Sequence, residues 1–313
     1  MTSRTVCVTG GAGFIGSHVA DALLAAGHRV LIVDDLSTGR KENLPAAAEF
    51  HELDIRSAAA AALVREARVE VLFHHAAQID VRKSVADPVR DAETNVVGTL
   101  NLLEAGRLGA LKQVVFASTG GAMYGEQEAF PAAEEHPTRP LSPYGVAKLA
   151  VERYLYFYHS EYGLDAACLR YANVYGPRQN PHGEAGVVAI FLDRLLAGRP
   201  VTINGDGRQT RDYVFVGDIV AANLAALGRP GFATYNVGTG RETDVVELYR
   251  QLAAAVGSDR PATHGPAKPG EQRRSCISSA RIARELGVVP VTSIEQGLRE
   301  TAAWFAARAA TSR

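Results

Sequence analysis

The hydrophobic pattern in the first half of the chain alternates between two periods. Short apolar runs rich in β-branched residues at 5–9, 29–34, 49–53, 71–75, 113–118 and 165–171 predict strands. Between them, apolar positions recur at helical spacing over 14–26, 57–66, 88–108 and 144–161. Strands alternating with helices predict an α/β fold, a doubly wound parallel Rossmann sheet covered on both faces. The helix at 144–161 is apolar around much of its circumference, through Val146, Leu149, Val151, Leu155, Phe157 and Tyr158. One face packs on the sheet and the other needs a second cover. The pattern therefore predicts a homodimer through the helices near 88–108 and 144–161.

After Tyr175 the periodicity loosens into the turn-rich run Gly-Pro-Arg-Gln-Asn-Pro-His-Gly at 176–183. Shorter elements follow: helix 187–197, strand 201–203, helix 217–226, strand 234–237 and helices 244–256 and 294–307. This predicts a cofactor-binding domain over 1–175, joined by segments near 211–222 and 233–240. A smaller α/β substrate-binding domain falls mainly in 176–313.

The turn after the first strand adds chemistry. Gly10-Gly-Ala-Gly13-Phe-Ile-Gly16 lies between a predicted strand and a predicted helix. Gly10 permits the tight turn, Gly13 lets the backbone approach a pyrophosphate, and Gly16 lets helix and strand pack closely. The helix N-terminus offers N–H groups to the phosphates. Asp34 ends the second strand ~20 residues on, the distance at which a carboxylate accepts from a ribose hydroxyl. Its charge repels a 2′-phosphate, which predicts NAD as the cofactor, although Arg40 and Lys41 follow soon after.

A second motif is Ser142-Pro-Tyr-Gly-Val-Ala-Lys148. Pro143 suits the first turn of a helix, and Tyr144 and Lys148, four residues apart, share a helix face. A phenol ordinarily titrates near ~10, and a neighbouring cation favours its ionised form. Tyr144 is therefore a candidate general base.

Bulk properties narrow the field. The chain has 313 residues, is 47% hydrophobic and carries a net charge of −1. That balance argues against nucleic acid or a membrane surface as partner. Cys7, Cys168 and Cys276 lie far apart with no CxxC, which predicts a reduced, cytoplasmic protein without a metal. No apolar run reaches membrane length, and no secretory leader is expected. His74 and His75 are neighbours on a strand and point to opposite faces, one to the core and one towards the cofactor.

The ordered motifs extend over nearly the whole chain: Gly10 to Gly16, Asp34-Asp-Leu-Ser-Thr-Gly39, Asp54-Ile55, His75-Ala-Ala-Gln78, Asn95-Val-Val-Gly-Thr99, Ser118-Thr119, Tyr144 to Lys148, Leu169-Arg-Tyr-Ala-Asn-Val-Tyr-Gly-Pro177 and Gly205-Asp-Gly-Arg-Gln-Thr-Arg-Asp-Tyr213. In them the chain resembles the extended short-chain dehydrogenase/reductase family, in its nucleotide-sugar branch, and there the UDP-glucose 4-epimerases. The resemblance implies 4-epimerisation of a UDP-hexose through a transient 4-keto sugar, with NAD accepting and returning a hydride. It implies Tyr144, Lys148 and either Thr119 or Ser118 as catalytic residues. By the same resemblance, NAD would be held by Gly10, Gly13, Phe14, Ile15, Gly16, Asp34, Asp35, Ser37, Thr38, Gly39, Asp54, Ile55, Ala76, Ala77, Gln78, Asn95 and Tyr171, with Tyr144 and Lys148 at the nicotinamide end. The nucleotide sugar would meet Thr119, Tyr144, Asn173, Val187, Val188, Arg208, Arg211, Tyr213 and Arg274. Lys268-Pro-Gly-Glu271 stands where the family has Arg-x-Gly-Asp, and Ser275 aligns with its sugar-pocket gate, where a small residue should admit an N-acetyl group.

Gly120, Gly121 and Ala122 follow Thr119, so the acids that perform elimination in related dehydratases are missing there. A UDP-glucuronate epimerase, a sugar-nucleotide reductase or dehydratase, and a non-catalytic NAD-binding protein remain the alternatives.

Overall fold

The protein is described here from a computed structural model covering residues 3–182, 186–267 and 272–311. Its first half lays down six parallel strands: β1 (Thr5–Thr9), β2 (Arg29–Asp34), β3 (Glu49–Glu52), β4 (Val71–His74), β5 (Gln113–Thr119) and β6 (Asp165–Tyr171). The connecting helices are α1 (Phe14–Ala25), α2 (Ala58–Glu66), α3 (Val81–Ala86), α4 (Pro88–Ala92), α5 (Gly98–Arg107), α6 (Gly120–Met123) and α7 (Pro143–Tyr162). The sequence signals at α7 work as expected. Ser142 Oγ accepts from the Gly145 N–H at 3.2 Å, Pro143 opens the helix, and Gly163 closes it at φ +68°.

The helix expected over 88–108 is not uniform. Between α4 and α5 the chain makes a π-turn, Glu93–Val97, whose i→i+5 bonding widens the helix. A further short helix, α3, precedes it; Asp80 caps α3 by accepting from the N–H groups of Arg82 and Lys83.

The second half supplies β7 (Asn173–Tyr175), β8 (Thr202–Asn204), β9 (Thr210–Arg211), β10 (Tyr213–Phe215), β11 (Phe232–Val237), β12 (Thr243–Asp244), β13 (Thr263–Gly265) and β14 (Arg274–Ser275). Its helices are α8 (Val187–Leu196), α9 (Val216–Ala226), α10 (Val245–Ala255), α11 (Ala280–Leu286) and α12 (Ile294–Thr311). β11 returns to the main sheet beside β6, completing the order β11-β6-β5-β4-β1-β2-β3. The strand order reverses between β1 and β4, which opens a crevice beyond the strands' carboxyl ends.

Strand alternation divides the core. Val6, Val8 and Phe73 face α1 and α9, whereas Cys7, Leu72 and Val114 face α2, α5 and α7. A separate apolar cluster gathers α8, α10 and α12 around Phe191, Leu248 and Leu298. Among the described residues no helix is long and apolar enough to cross a membrane, and the three cysteines are buried and free.

Candidate active site

The glycine turn closes tightly on the sheet. Gly10 sits at φ +68°, and a Cβ there would lie 2.7 Å from the Ala76 nitrogen, so only glycine fits. A side chain at Gly16 would collide with the Gly10 carbonyl. α1 begins at Phe14 without a side-chain cap, leaving its first N–H groups available to an anion.

Asp34 is buried at the head of β2. One carboxylate oxygen accepts from the Ala12 N–H at 3.0 Å and the other from Leu36 N–H at 2.8 Å. Burial raises its pKa above the usual carboxylate value, against the pull of these two N–H groups. Asp35 instead closes the following turn, accepting from Ser37 N–H and Oγ. Ser37 and Thr38 are exposed at this rim, and Gly39 packs on the Asp34 carboxylate. Asp54 forms an ion pair with Arg56, and Ile55 is buried against Gly98.

The end of β4 is held by a relay of hydrogen bonds. Thr99 Oγ1 donates to the Asn95 carbonyl at 2.7 Å, so it accepts from His74 Nε2 at 2.8 Å. His74 Nδ1 then accepts from Thr9 Oγ1 at 2.7 Å, and Thr9 Oγ1 accepts from the Ala76 N–H at 3.2 Å. His75 turns to the opposite side and stacks on Tyr171 at 6.5 Å between centroids. Burial and the charge of Lys148 draw both histidines down to about 3, so they stay neutral. No cluster of metal-ligating side chains exists among the described residues.

Gln78 and Asn95 are committed to each other: Gln78 N–H donates to Asn95 Oδ1 at 2.9 Å, and Asn95 Nδ2 donates to the Gln78 carbonyl at 3.0 Å. The π-turn brings Asn95 into this position. It shapes the loop that follows Ala76 and Ala77.

Tyr144, Lys148 and Glu152 occupy successive turns of one face of α7. Lys148 is buried and donates from Nζ to the Ala117 carbonyl at 2.8 Å, with its ammonium 4.6 Å from the Phe116 ring centroid and 5.8 Å from that of Tyr144. Burial lowers its pKa to about 8, while the charges of Asp91 and Glu152 oppose the drop. Burial, then the charge of Asp91, push the Tyr144 phenol well above the ordinary value. As a general base Tyr144 therefore needs a further cation beside Lys148.

Ser118 and Thr119 have separate fates. Ser118 is buried and donates to Glu152 Oε1 at 2.6 Å, inside an ion pair between Glu152 and Arg170. Its expected role at the reacting hydroxyl is thus corrected: strand alternation sends it away from Thr119. Thr119 is half-buried and accepts from the Ala122 N–H at 3.1 Å. The first turn of α7 packs on this segment so closely that a Cβ at Gly145 would lie 2.8 Å from the Ala122 carbonyl. A Cβ at Gly121 would stand 3.8 Å from Asn173 Oδ1 and 3.9 Å from Thr119 Oγ1, so the three lie within contact of one added methyl group.

On the far side of the cleft, Asp212 anchors the backbone. It is buried and accepts from Thr239 N–H and Oγ1 and from Gly240 N–H. β9 lies between β12 and β14, which sets Arg211 opposite Ser275 and Thr210 opposite Arg274. Arg274 pairs with both Glu242 oxygens and lies 3.8 Å from the Phe130 ring centroid. Tyr213 and Ser275 are buried, and Arg211 is half-buried. Three expectations are narrowed. Val188 is in the apolar core, so only its backbone can face a ligand. Tyr171 is likewise buried, its hydroxyl accepting from Asn223 at 2.8 Å. Arg208 projects to solvent with its guanidinium 3.2 Å from Asp244. Lys268 to Glu271 lie outside the described residues.

Residues 6–238 match the NAD dependent epimerase/dehydratase family. The chain belongs to that family. A UDP-glucose 4-epimerase of Mycolicibacterium smegmatis is 50% identical over 305 residues, covering 95% of this chain and 97% of that protein. The crystal structure of a UDP-glucose 4-epimerase from Thermotoga maritima with UDP-glucose superposes with a TM-score of 0.95 at 46% identity, covering 97% of this chain and 99% of that one. A Thermus thermophilus UDP-glucose 4-epimerase in complex with NAD gives a TM-score of 0.90 at 46% identity, covering 96% and 98%. The family's cofactor fits the site. The glycine turn leaves no side chain in a dinucleotide's path, and Asp34 is fixed by backbone donors. Of the two nearby cations, Arg40 is drawn to Asn180 and Lys41 to Glu52. The Glu152–Arg170–Ser118 network had no signal in the sequence beyond the spacing of Glu152 four residues after Lys148.

Proposed function

We propose that this enzyme interconverts UDP-glucose and UDP-galactose by inverting C4 of the sugar, using a resident NAD. The observation that carries this reading is the convergence of Thr119, Gly121 and Asn173 beside the Tyr144–Lys148 face, with no acid after Thr119. A dehydratase needs an acid there to expel water. An epimerase needs room for the sugar to turn.

When bound, NAD supplies the acceptor and donor of the hydride at C4. Tyr144 Oη, ionised beside Lys148 and the bound cofactor's cationic ring, would take the proton from the 4-hydroxyl and give it back. Thr119 Oγ1 holds that hydroxyl. Lys148 Nζ supports the nicotinamide ribose and the phenolate together. Gly10, Gly13, Phe14, Ile15, Gly16 and Asp34 would hold the dinucleotide, with Ser37, Thr38, Gly39, Asp54 and Ile55 towards its adenosine. Arg211, Tyr213, Arg274 and Asn173 would grip the UDP portion, since guanidinium forks suit a diphosphate. Binding energy on the nucleotide leaves the hexose free to turn.

Residues 1–175, completed by β10–α9 and β11, form the cofactor half in this reading, and the remaining residues the substrate half. Ser275, small and buried, supports acceptance of N-acetylated hexoses. The exposed apolar residues Val89, Val97, Val146, Tyr154 and Phe157 on α4, the π-turn and α7 support a homodimer. We place the enzyme in the cytoplasm. The test is incubation of purified protein with UDP-glucose and, separately, UDP-N-acetylglucosamine, without added NAD. Formation of the 4-epimer with no net nicotinamide absorbance change is the expected result. Net consumption of reduced cofactor would instead identify a reductase.

A further inference from the structure

Asp91, in the last turn of α4, is 1% exposed. Its Oδ1 accepts from Gln78 Nε2 and from Asn95 Nδ2, both at 3.0 Å. Its Oδ2 is buried without a hydrogen-bond partner. A carboxylate this enclosed, with one oxygen unmatched, is costly unless a cation compensates it through space. α4 packs directly on α7, and α7 presents Tyr144, Lys148 and Glu152 on one face.

The other charged groups around it are already matched. Glu152 is paired with Arg170, and Arg82 at the start of α3 lies on Asp80. Glu93 in the π-turn lies 3.8 Å from Arg56. Lys83 on α3 and Arg90 on α4 are exposed. His74 and His75, at the end of β4, are neutral. Lys148 is the buried cation left to answer Asp91.

We propose that Asp91 is a positioning residue whose negative charge holds Lys148 as an ammonium beside Tyr144. The inference rests on the epimerase reading above. The electrostatics agree with the geometry. Asp91 is the first of the charges opposing the burial-driven drop at Lys148, and the one charge that adds to burial at Tyr144. Lys148 in turn lowers the pKa of Asp91, which burial raises. An uncharged residue at 91 therefore lets Lys148 lose its proton at lower pH. The alkaline limb of activity, set by that loss, moves down with it.

The experiment is the pH profile of kcat and KM for holoenzyme carrying Asp91→Asn, Asp91→Ser or Asp91→Glu, with NAD content measured after denaturation. We expect the alkaline limb of kcat to move down by about one pH unit in the two neutral variants, as expected for loss of one nearby charge. Asp91→Glu should restore the original profile. Superimposable profiles, or a uniform loss at every pH, would reduce Asp91 to a structural tie for Gln78 and overturn the proposal. A measurement on the unaltered holoenzyme does not depend on the variants folding. Lysine occurs only at 41, 83, 112, 148 and 268, so carbon-13 lysine spectra resolve few signals. Lys148 should be an ammonium at pH 7, and a neutral amine there would overturn the proposal. Absence of 4-epimer from the unaltered enzyme would instead defeat the epimerase reading, and the two failures are thereby distinguished.

Discussion

Ser118 and Glu152 are joined by a 2.6 Å hydrogen bond on the side of β5 that Thr119 does not face. Neighbouring hydroxyls are thereby given different tasks. Thr119→Val should lower kcat by about 10²-fold, the scale of a lost proton-handling contact. Ser118→Ala should leave kcat within a few-fold and cost about 1–3 kcal/mol of stability, because a buried acceptor loses its donor. Steady-state kinetics beside urea titration separates the two. A catalytic loss larger in Ser118→Ala than in Thr119→Val would reverse the assignment.

Tyr144→Phe keeps the volume of the side chain and removes the atom that carries the proton. Turnover should fall by about 10²–10⁴-fold. The NAD released from the denatured variant should match that from the wild type. Full activity in this variant would eliminate the phenol from the mechanism.

Glu152 and Arg170 are both buried, with their side chains 2.7 Å apart. Glu152→Ala leaves the Arg170 guanidinium enclosed without its counter-charge. Loss of one partner of a buried pair costs about 3–5 kcal/mol, and the urea midpoint should fall accordingly. An unchanged midpoint would show that the pair is not a stabilising element.

Lys148 carries opposite pH dependences for activity and stability. Its folded pKa of about 8 lies below its ordinary value of 10.5. Between these two values the unfolded chain holds a proton that the folded enzyme has released, so this residue makes stability rise with pH. Activity should fall through the same window as the ammonium disappears. Comparing wild type with Lys148→Met by denaturant unfolding from pH 8 to about 10 checks the sign, since the variant should lack the increment.

Val97 and Phe157 are exposed at 55% and 45% on neighbouring helical surfaces. If this face is the proposed dimer contact, Val97→Asp with Phe157→Asp should give a monomer by light scattering. A wild-type protein already monomeric at micromolar concentration would remove the dimer.

Much of this arrangement was legible in the sequence because it rests on local chemistry. Gly10, Gly13 and Gly16, the Ser142–Pro143 start of α7 and its Gly163 stop each act through the nearest few residues. The π-turn at Glu93–Val97 was not legible, since its register depends on Asn95 reaching Gln78, 17 residues earlier. The two-residue strands β9, β12 and β14 escaped for a related reason. They exist through pairing of residues 32 to 64 positions apart, and carry no period of their own. Ser118 and Thr119 could be distinguished only once the orientation of β5 was known.

The relay from the Ala76 N–H through Thr9, His74 and Thr99 to the Asn95 carbonyl links β1, β4 and the π-turn, and uses both imidazole nitrogens. Protonation of His74 would put a donor against the Thr9 hydroxyl, yet burial postpones that event to about pH 3. The end of β4 is therefore tied down by bonds that survive mild acid. In the proposed reaction, which returns a hydride to the opposite face of the same carbon, a floor fixed in this way would leave the turning to the sugar.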